Sequence, residues 1–440
     1  MSYRRTFNFP SVMPSWYLGH MAKGLQEMRN RLGNTDVVIE TRDARLPLTS
    51  INPAFELMLK KSRSDGRTDG CNNPIRLIVY NKKDLACAEL EQPLKEAFKK
   101  CGETVFFASS CNNDDIQEIL HQVKILVGPR VRSRNGNFED KSATSSPQPR
   151  YRSQHLKHHE TSKGARLMFC GMPNVGKSSL LNAFRRVGCR KGKAASEAPM
   201  PGHTRSVGGL VKVSEGSILT AGWPVYAFDT PGIMPPYLGQ GTEAADRAFK
   251  IALTGGIKES LFDTYDLAAY LFHSLLVRHK SSISQVLDEL RSALTLPATF
   301  NFDKESLQEY APLPIDHLLL AIADRIKAVK PGGAPNLQTA SQWFLKCFRD
   351  GKFKQWTLDN LYLHLNQNQL DISETKTINF SDNDLSSSVD LAQLVYANVS
   401  EYLALLGSGA RSKTSIKMDA IRAKKAVQRA QSLSKLHRRR

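Results

Sequence analysis

The chain has 440 residues, 41% of them hydrophobic and 23% charged, with a formal net charge of +19. That length allows two or three domains with cores of their own. Seven scattered cysteines without a Cys-x-x-Cys pair argue against a disulfide framework, and no run reaches the ~18–20 apolar residues of a membrane span. The basic balance predicts attraction to polyanions such as RNA or an anionic membrane surface. A compartment-targeted enzyme with a solvated basic tail is the plainer alternative.

In chain order, residues 1–26 contain no Asp or Glu but carry Arg4, Arg5 and Lys23. This is compatible with a mitochondrial matrix signal, although the stretch runs straight into a candidate motif and leaves little room for a removable leader. Apolar runs at 36–40, 75–80, 104–107, 166–170 and 225–228 are separated by helix-length segments. They predict buried, mostly parallel strands of an α/β sheet, with ligand-binding loops at their carboxyl ends. About 130–165 reads as a basic linker or insertion. Its His155, His158 and His159 lack further ligands at metal-binding spacing and add to a basic surface. From about 241 to 407 the spacing turns helical, with a stripe of Leu394, Val395, Tyr402, Leu405 and Leu406 expected to pack a core. Residues 408–440 form a basic tail, either a helix for RNA phosphates or lipid headgroups or a solvated end.

Four motifs carry chemistry. Gly171-Met172-Pro173-Asn174-Val175-Gly176-Lys177-Ser178-Ser179 lies between a predicted strand and a predicted helix. Glycines there let backbone N–H groups curl around phosphates at a helix N-terminus. Lys177 is expected to bridge the β- and γ-phosphates, and Ser178 to offer a hydroxyl to Mg²⁺. Asn81-Lys82-Lys83-Asp84 ends an earlier strand, and a carboxylate at Asp84 would accept from both guanine N1–H and the 2-amino group. Backbone N–H groups at Ser109 and Ser110 are expected to face the guanine oxygen. Asp229-Thr230-Pro231-Gly232 would hold Mg²⁺ through Asp229 and sense the γ-phosphate at the Gly232 amide. Thr204, in Pro201-Gly202-His203-Thr204-Arg205, would close over the metal. The residue after Gly232 is Ile233, whose side chain cannot hydrogen-bond to water.

The base motif thus precedes the phosphate loop, so the nucleotide-binding domain is circularly permuted. In this order the chain resembles the circularly permuted ribosome-assembly GTPases of the bacterial ribosome biogenesis GTPase A and mitochondrial ribosome-associated GTPase 1 type. Gly19-His20-Met21-Ala22-Lys23 is similar to that family's opening motif. So is the block from Asp43-Ala44-Arg45 to Asn52-Pro53, and so are residues 253–258 and 348–352 in the helical part. The resemblance implies a P-loop GTPase domain over 31–240, an N-terminal segment over 1–30 and a smaller all-α domain over 241–407. It implies His20 as the group that orients water, and K⁺ held near the phosphates by Asn174. It also implies a monomer docking on the mitochondrial large ribosomal subunit and its rRNA, on the matrix side, with peripheral contact to the inner membrane and hydrolysis timing release. A GTP-dependent RNA- or membrane-docking adaptor with little turnover remains an alternative, as does a nucleolar or cytosolic relative.

Overall fold

The computed structural model describes residues 7–10, 19–64, 73–135, 164–195, 197, 207–235, 237–239, 241–278, 283–297, 315–353, 355–361 and 387–407. Six strands form one sheet: β1 (Val37–Asp43), β2 (Ile75–Asn81), β3 (Val105–Ala108), β4 (Ala165–Gly171), β5 (Leu210–Ser214) and β6 (Val225–Phe228). Their order is β3-β2-β1-β4-β6-β5, and all neighbours are parallel except the edge pair β5–β6. From β1 the chain winds outward through β2 and β3. From β4 it winds the other way. The reversal between β1 and β4 opens a crevice at the strands' carboxyl ends, where open α/β sheets bind ligands. The permutation is therefore visible in the topology, because the base motif closes β2 and the phosphate loop closes β4.

Helices cover both faces. They are α1 (Gly19–Arg31), α2 (Pro53–Ser64), α3 (Glu91–Lys100), α4 (Asn113–Asn135) and α5 (Lys177–Cys189). Beyond the sheet come α6 (Gly241–Leu253), α7 (Thr264–Arg278), α8 (Ile283–Ala293), α9 (Ile315–Arg325), α10 (Leu337–Arg349) and α11 (Ser387–Gly407). On one face Val37, Ile39 and Leu167 pack against Ile116, Val123, Leu180 and Phe184 of α4 and α5. On the other, Val38, Met168 and Cys170 join a cluster that includes Met28 of α1, Phe55 of α2 and Ile251 of α6. The same cluster continues to Leu271, Leu318 and Phe344 of the helical part. No helix among the described residues is long and apolar enough to cross a membrane.

The structure departs from the sequence reading in three places. Helix α4 runs on to Asn135 through Pro129, so the expected linker starts later. Buried Ile116, Leu120, Val123, Val127 and Val131 keep helical spacing across the proline and outweigh its missing donor. The edge strand β5 did not stand out as an apolar run. Helix α11 returns to the sheet domain, where Val395, Val399 and Tyr402 pack with Leu90, Leu94 and Phe98 beside α3. Of the expected stripe, Val395 and Tyr402 are buried and Leu405 is exposed.

Candidate functional site

The phosphate loop leaves β4 at Gly171, turns through Asn174 with a φ of 57°, and enters α5 after Gly176. Gly176 has a φ of 93°, and a Cβ there would lie 2.2 Å from Asn81 Nδ2. A side chain would be both strained and blocked at this position. Lys177 is buried and its Nζ donates to Met172 O at 2.8 Å. Burial pushes the Lys177 ammonium pKa down to about 8, and the nearby Asp229 carboxylate opposes the shift. Ser178 Oγ donates to Asp229 Oδ2 at 2.8 Å, and Ser179 Oγ to Glu197 Oε2 at 3.2 Å. The Ser178–Asp229 pair brings two hard oxygen donors together, the donor chemistry Mg²⁺ prefers. Among the described residues no group of three or more His, Cys, Asp or Glu could hold a metal, so such an ion would need further oxygens from phosphates and water.

Residues from Asp229 to Pro235 are buried. Thr230 Oγ1 donates to Phe169 O at 2.5 Å, Ile233 N to Gly171 O at 3.1 Å, and Asn52 Nδ2 to Ile233 O at 2.8 Å. Gly232 lies against Pro173 of the phosphate loop, where a Cβ would come within 2.6 Å of Pro173 Cα. Helix α1 presses on the same segment. Gly24 faces Pro231 so closely that a Cβ would lie 2.6 Å from Pro231 Cγ. Glu27 accepts from Val207 N at 3.2 Å, and Arg31 donates to Gly208 O at 3.2 Å while its guanidinium lies 4.8 Å from the Phe228 ring centroid. His20 is the second residue of α1, and helical spacing puts position 20 on the same face as Gly24. The His20 side chain and Thr204 lie outside the described residues.

On the base side, Asn81 Nδ2 donates to Val175 O at 3.0 Å and its Oδ1 accepts from Ser110 N at 3.1 Å. One buried amide thus stitches the base loop to the phosphate loop. Lys82, left-handed with a φ of 63°, donates to Asn174 O at 2.6 Å and pairs with Asp43 Oδ2 at 3.1 Å. Arg45 grips the same carboxylate with two bonds, at 2.9 and 2.8 Å. Burial alone would raise the Asp43 carboxyl. The Arg45 and Lys82 charges outweigh it and hold the group well below the usual carboxylate range. Asp84 is exposed, and with Lys83, Phe107, Ser109 and Asn112 it lines a cavity of about 400 Å³. The N–H groups expected to face guanine are engaged elsewhere. Ser109 N donates to Asp115 Oδ2 at 2.8 Å, and Ser110 N is the group on Asn81.

A protein-family profile described as 50S ribosome-binding GTPase matches residues 166–295. Mitochondrial GTPase 1 of Schizosaccharomyces japonicus is 30% identical, over 60% of this chain and 71% of its own length. The chain belongs to the mitochondrial GTPase 1 family. Mitochondrial ribosome-associated GTPase 1 of Xenopus tropicalis is 29% identical over 81% of this chain and 98% of its own. The solved structure of GNP-bound YlqF from T. maritima aligns with a TM-score of 0.41 at 17% identity, covering 77% of this chain and 98% of that one. The protein is accordingly a GTPase, an enzyme that binds and hydrolyses GTP.

Further contacts tie the site of this GTPase to its helical part. Asn174 Nδ2 donates to Gly255 O at 2.7 Å, which ties the phosphate loop to the turn after α6. Arg349 caps the end of α6 by donating to Leu253 O at 2.8 Å and Ala252 O at 3.0 Å, satisfying carbonyls left open at a helix C-terminus. Asp359 accepts from Leu48 N and Thr49 N, both at 2.8 Å, and lies 3.4 Å from Lys250 Nζ of α6. The block from Asp43-Ala44-Arg45, at the end of β1, is the sequence signal for the buried Asp43–Arg45 pair. Nothing local marks Asp359.

Proposed function

We propose that this GTPase couples GTP hydrolysis to release from the large subunit of the mitochondrial ribosome, acting on the matrix side of the inner membrane. The names of its relatives, which include mitochondrial ribosome-associated GTPase 1, support the compartment and the ribosomal partner. The observation that carries the chemical part is the Ser178–Asp229 contact of 2.8 Å beside the buried Lys177. In this reading Lys177 binds the β- and γ-phosphates. Ser178, Thr204 and Asp229 would hold Mg²⁺. The ion's chemistry is neutralisation of charge on the phosphates. Val175, Gly176 and Ser179 shape the phosphate cradle, and Gly232 reports the γ-phosphate. Asp84 reads guanine. Asn81 and Lys82 fix the loop that carries it, and Ser109 and Ser110 shape that loop rather than offering free N–H groups.

His20 is the water-orienting group, because Ile233 cannot hydrogen-bond water and α1 lies on Pro231. Asn174 would place its side-chain oxygen toward K⁺ while its amide nitrogen stays on Gly255. The core shared by α1, α6 and the helical part offers a route by which loss of the γ-phosphate changes the docking surface. Two measurements test this reading. His20→Ala should abolish particle-stimulated phosphate release with GTP affinity retained; intact release sinks the catalytic assignment. Protein held in the GTP state should co-purify with a mitochondrial large-subunit particle, and recovery of no ribosomal particle sinks the partner assignment.

A further inference from the structure

The end of α5 carries a basic ridge that the nucleotide chemistry does not use. Arg185, Arg186, Arg190, Lys191 and Lys193 fall within nine residues, and no acidic residue occurs between Lys177 and Ser196. Arg186, Arg190, Lys191 and Lys193 are exposed. The guanidinium groups nearest the helix are oriented by neutral acceptors. Arg185 donates to Gly192 O and Lys212 O, each at 2.9 Å. Arg186 donates to Ser110 O at 2.9 Å and to Asn113 Oδ1 at 3.1 Å. Lys193 has a carboxylate, Glu197, at 3.6 Å, with three-quarters of its own side chain exposed. A surface pair of that kind is worth little.

We infer that this ridge docks the phosphate backbone of RNA, and that Arg186 links the docking to the guanine loop. Arg186, exposed and fixed by neutral acceptors, suits bidentate phosphate recognition, and the exposed Arg190, Lys191 and Lys193 extend the positive surface beside it. A lipid surface fits less well, because no large apolar side chain is exposed between Arg185 and Ala195 to enter a bilayer. Arg186 bonds the carbonyl of Ser110, whose N–H is bound to Asn81, the residue joining base loop and phosphate loop. A phosphate that draws Arg186 away removes two bonds from that loop. RNA should then loosen GDP, and GDP should weaken RNA binding by the same factor. The inference leans on the ribosomal reading only for where the RNA comes from.

The test uses the full-length protein, a labelled RNA hairpin and phosphatidylserine vesicles. For the Arg190→Glu/Lys191→Glu variant, hairpin affinity should fall about tenfold and the slope of log affinity on log salt by about 1.5. GDP affinity should match wild type, which shows the variant is folded. In the unmodified protein the hairpin should protect Lys191 and Lys193 from acetylation, a readout that the basic tail cannot mimic. GDP release should quicken about fivefold with the hairpin, and Arg186→Gln should abolish that response. Unchanged affinity, slope and acetylation overturn the ridge. Loss of vesicle binding with RNA binding retained overturns it in favour of lipid. A ridge that passes while no ribosomal particle co-purifies leaves this inference standing and the function above refuted.

Discussion

The two halves of the cleft are built differently. On the base side, β1 is buried along its whole length although it carries Glu40, Arg42 and Asp43, and each charge has a fixed partner. Arg42 bonds Glu40 at 2.7 Å and the Tyr80 hydroxyl at 3.0 Å, and that hydroxyl donates to Pro47 O at 2.6 Å. On the switch side the bonds at Thr230 and Ile233 are neutral, the charged groups Asp229, Glu27 and Arg31 bond hydroxyl or backbone groups rather than opposite charges, and Gly24 fits against Pro231 by shape. Buried paired charges resist rearrangement, since breaking one leaves another unpaired. Neutral bonds and close packing can exchange one arrangement for another at small cost. The frame around the base motif is thus fixed, whereas the segment from Asp229 to Pro235 meets α1 through contacts that can be exchanged at lower cost.

Four experiments press on that contrast. Asp43→Ala strips Arg45 and Lys82 of their shared carboxylate and should cost about 3 kcal/mol, read as a lower urea midpoint at constant m. A loss below about 1 kcal/mol would mean that the base side is not rigid for the reason given. Gly24→Ala should behave in the opposite manner. It adds helix propensity to α1, yet the new methyl meets Pro231, so turnover should fall about tenfold through misplacement while GDP affinity stays within about twofold. Equal losses in stability and turnover would merge the two halves.

The pH dependence follows from Lys177. In the free protein its pKa is depressed to about 8, so its proton is bound below that pH and lost above it. Phosphates favour the charged form and raise the pKa in the complex. GTP affinity should therefore be flat up to about pH 8 and fall about tenfold per unit above it, with proton uptake on binding measured calorimetrically in two buffers. The smallest effect belongs to the half-exposed Lys95–Glu91 pair on α3, 2.6 Å apart. Lys95→Ala should shift stability by no more than about 0.5 kcal/mol, which would locate the rigidity in the buried charges and not in surface pairs.

The parts of this molecule legible in sequence are those whose cause is local. Apolar runs ending in motif residues mark β1, β2, β3, β4 and β6, and glycines with a lysine mark the phosphate loop. Even there the extent of β1 is longer than its apolar run, because Arg42 and Asp43 are buried by partners that no local pattern reveals. The short edge strand β5 has only one covered edge and little apolar excess. Asp359 reaches Leu48 and Thr49 across most of the chain, and α11 finds α3 in the same way. Such contacts are fixed by the assembled surface, not by periodicity. The partners that the Ser109 and Ser110 amides take, Asp115 and Asn81, are likewise invisible in sequence, because competition between acceptors is settled in three dimensions.

The register of β1 has a consequence for how the protein comes to fold. β1 is flanked by β2 on one edge and β4 on the other, with Val37 opposite both Ile75 and Leu167. During synthesis β2 follows soon after β1, but β4 begins only at Ala165. A nascent chain holding β1–β3 therefore carries an unpaired central edge, flanked by Val38 and Ile39, until the phosphate-loop strand emerges. Open edges of this kind invite pairing with other chains. Permuting the motifs thus prolongs the exposure of that edge during synthesis, and chains halted before Ala165 should be the most aggregation-prone length of the protein.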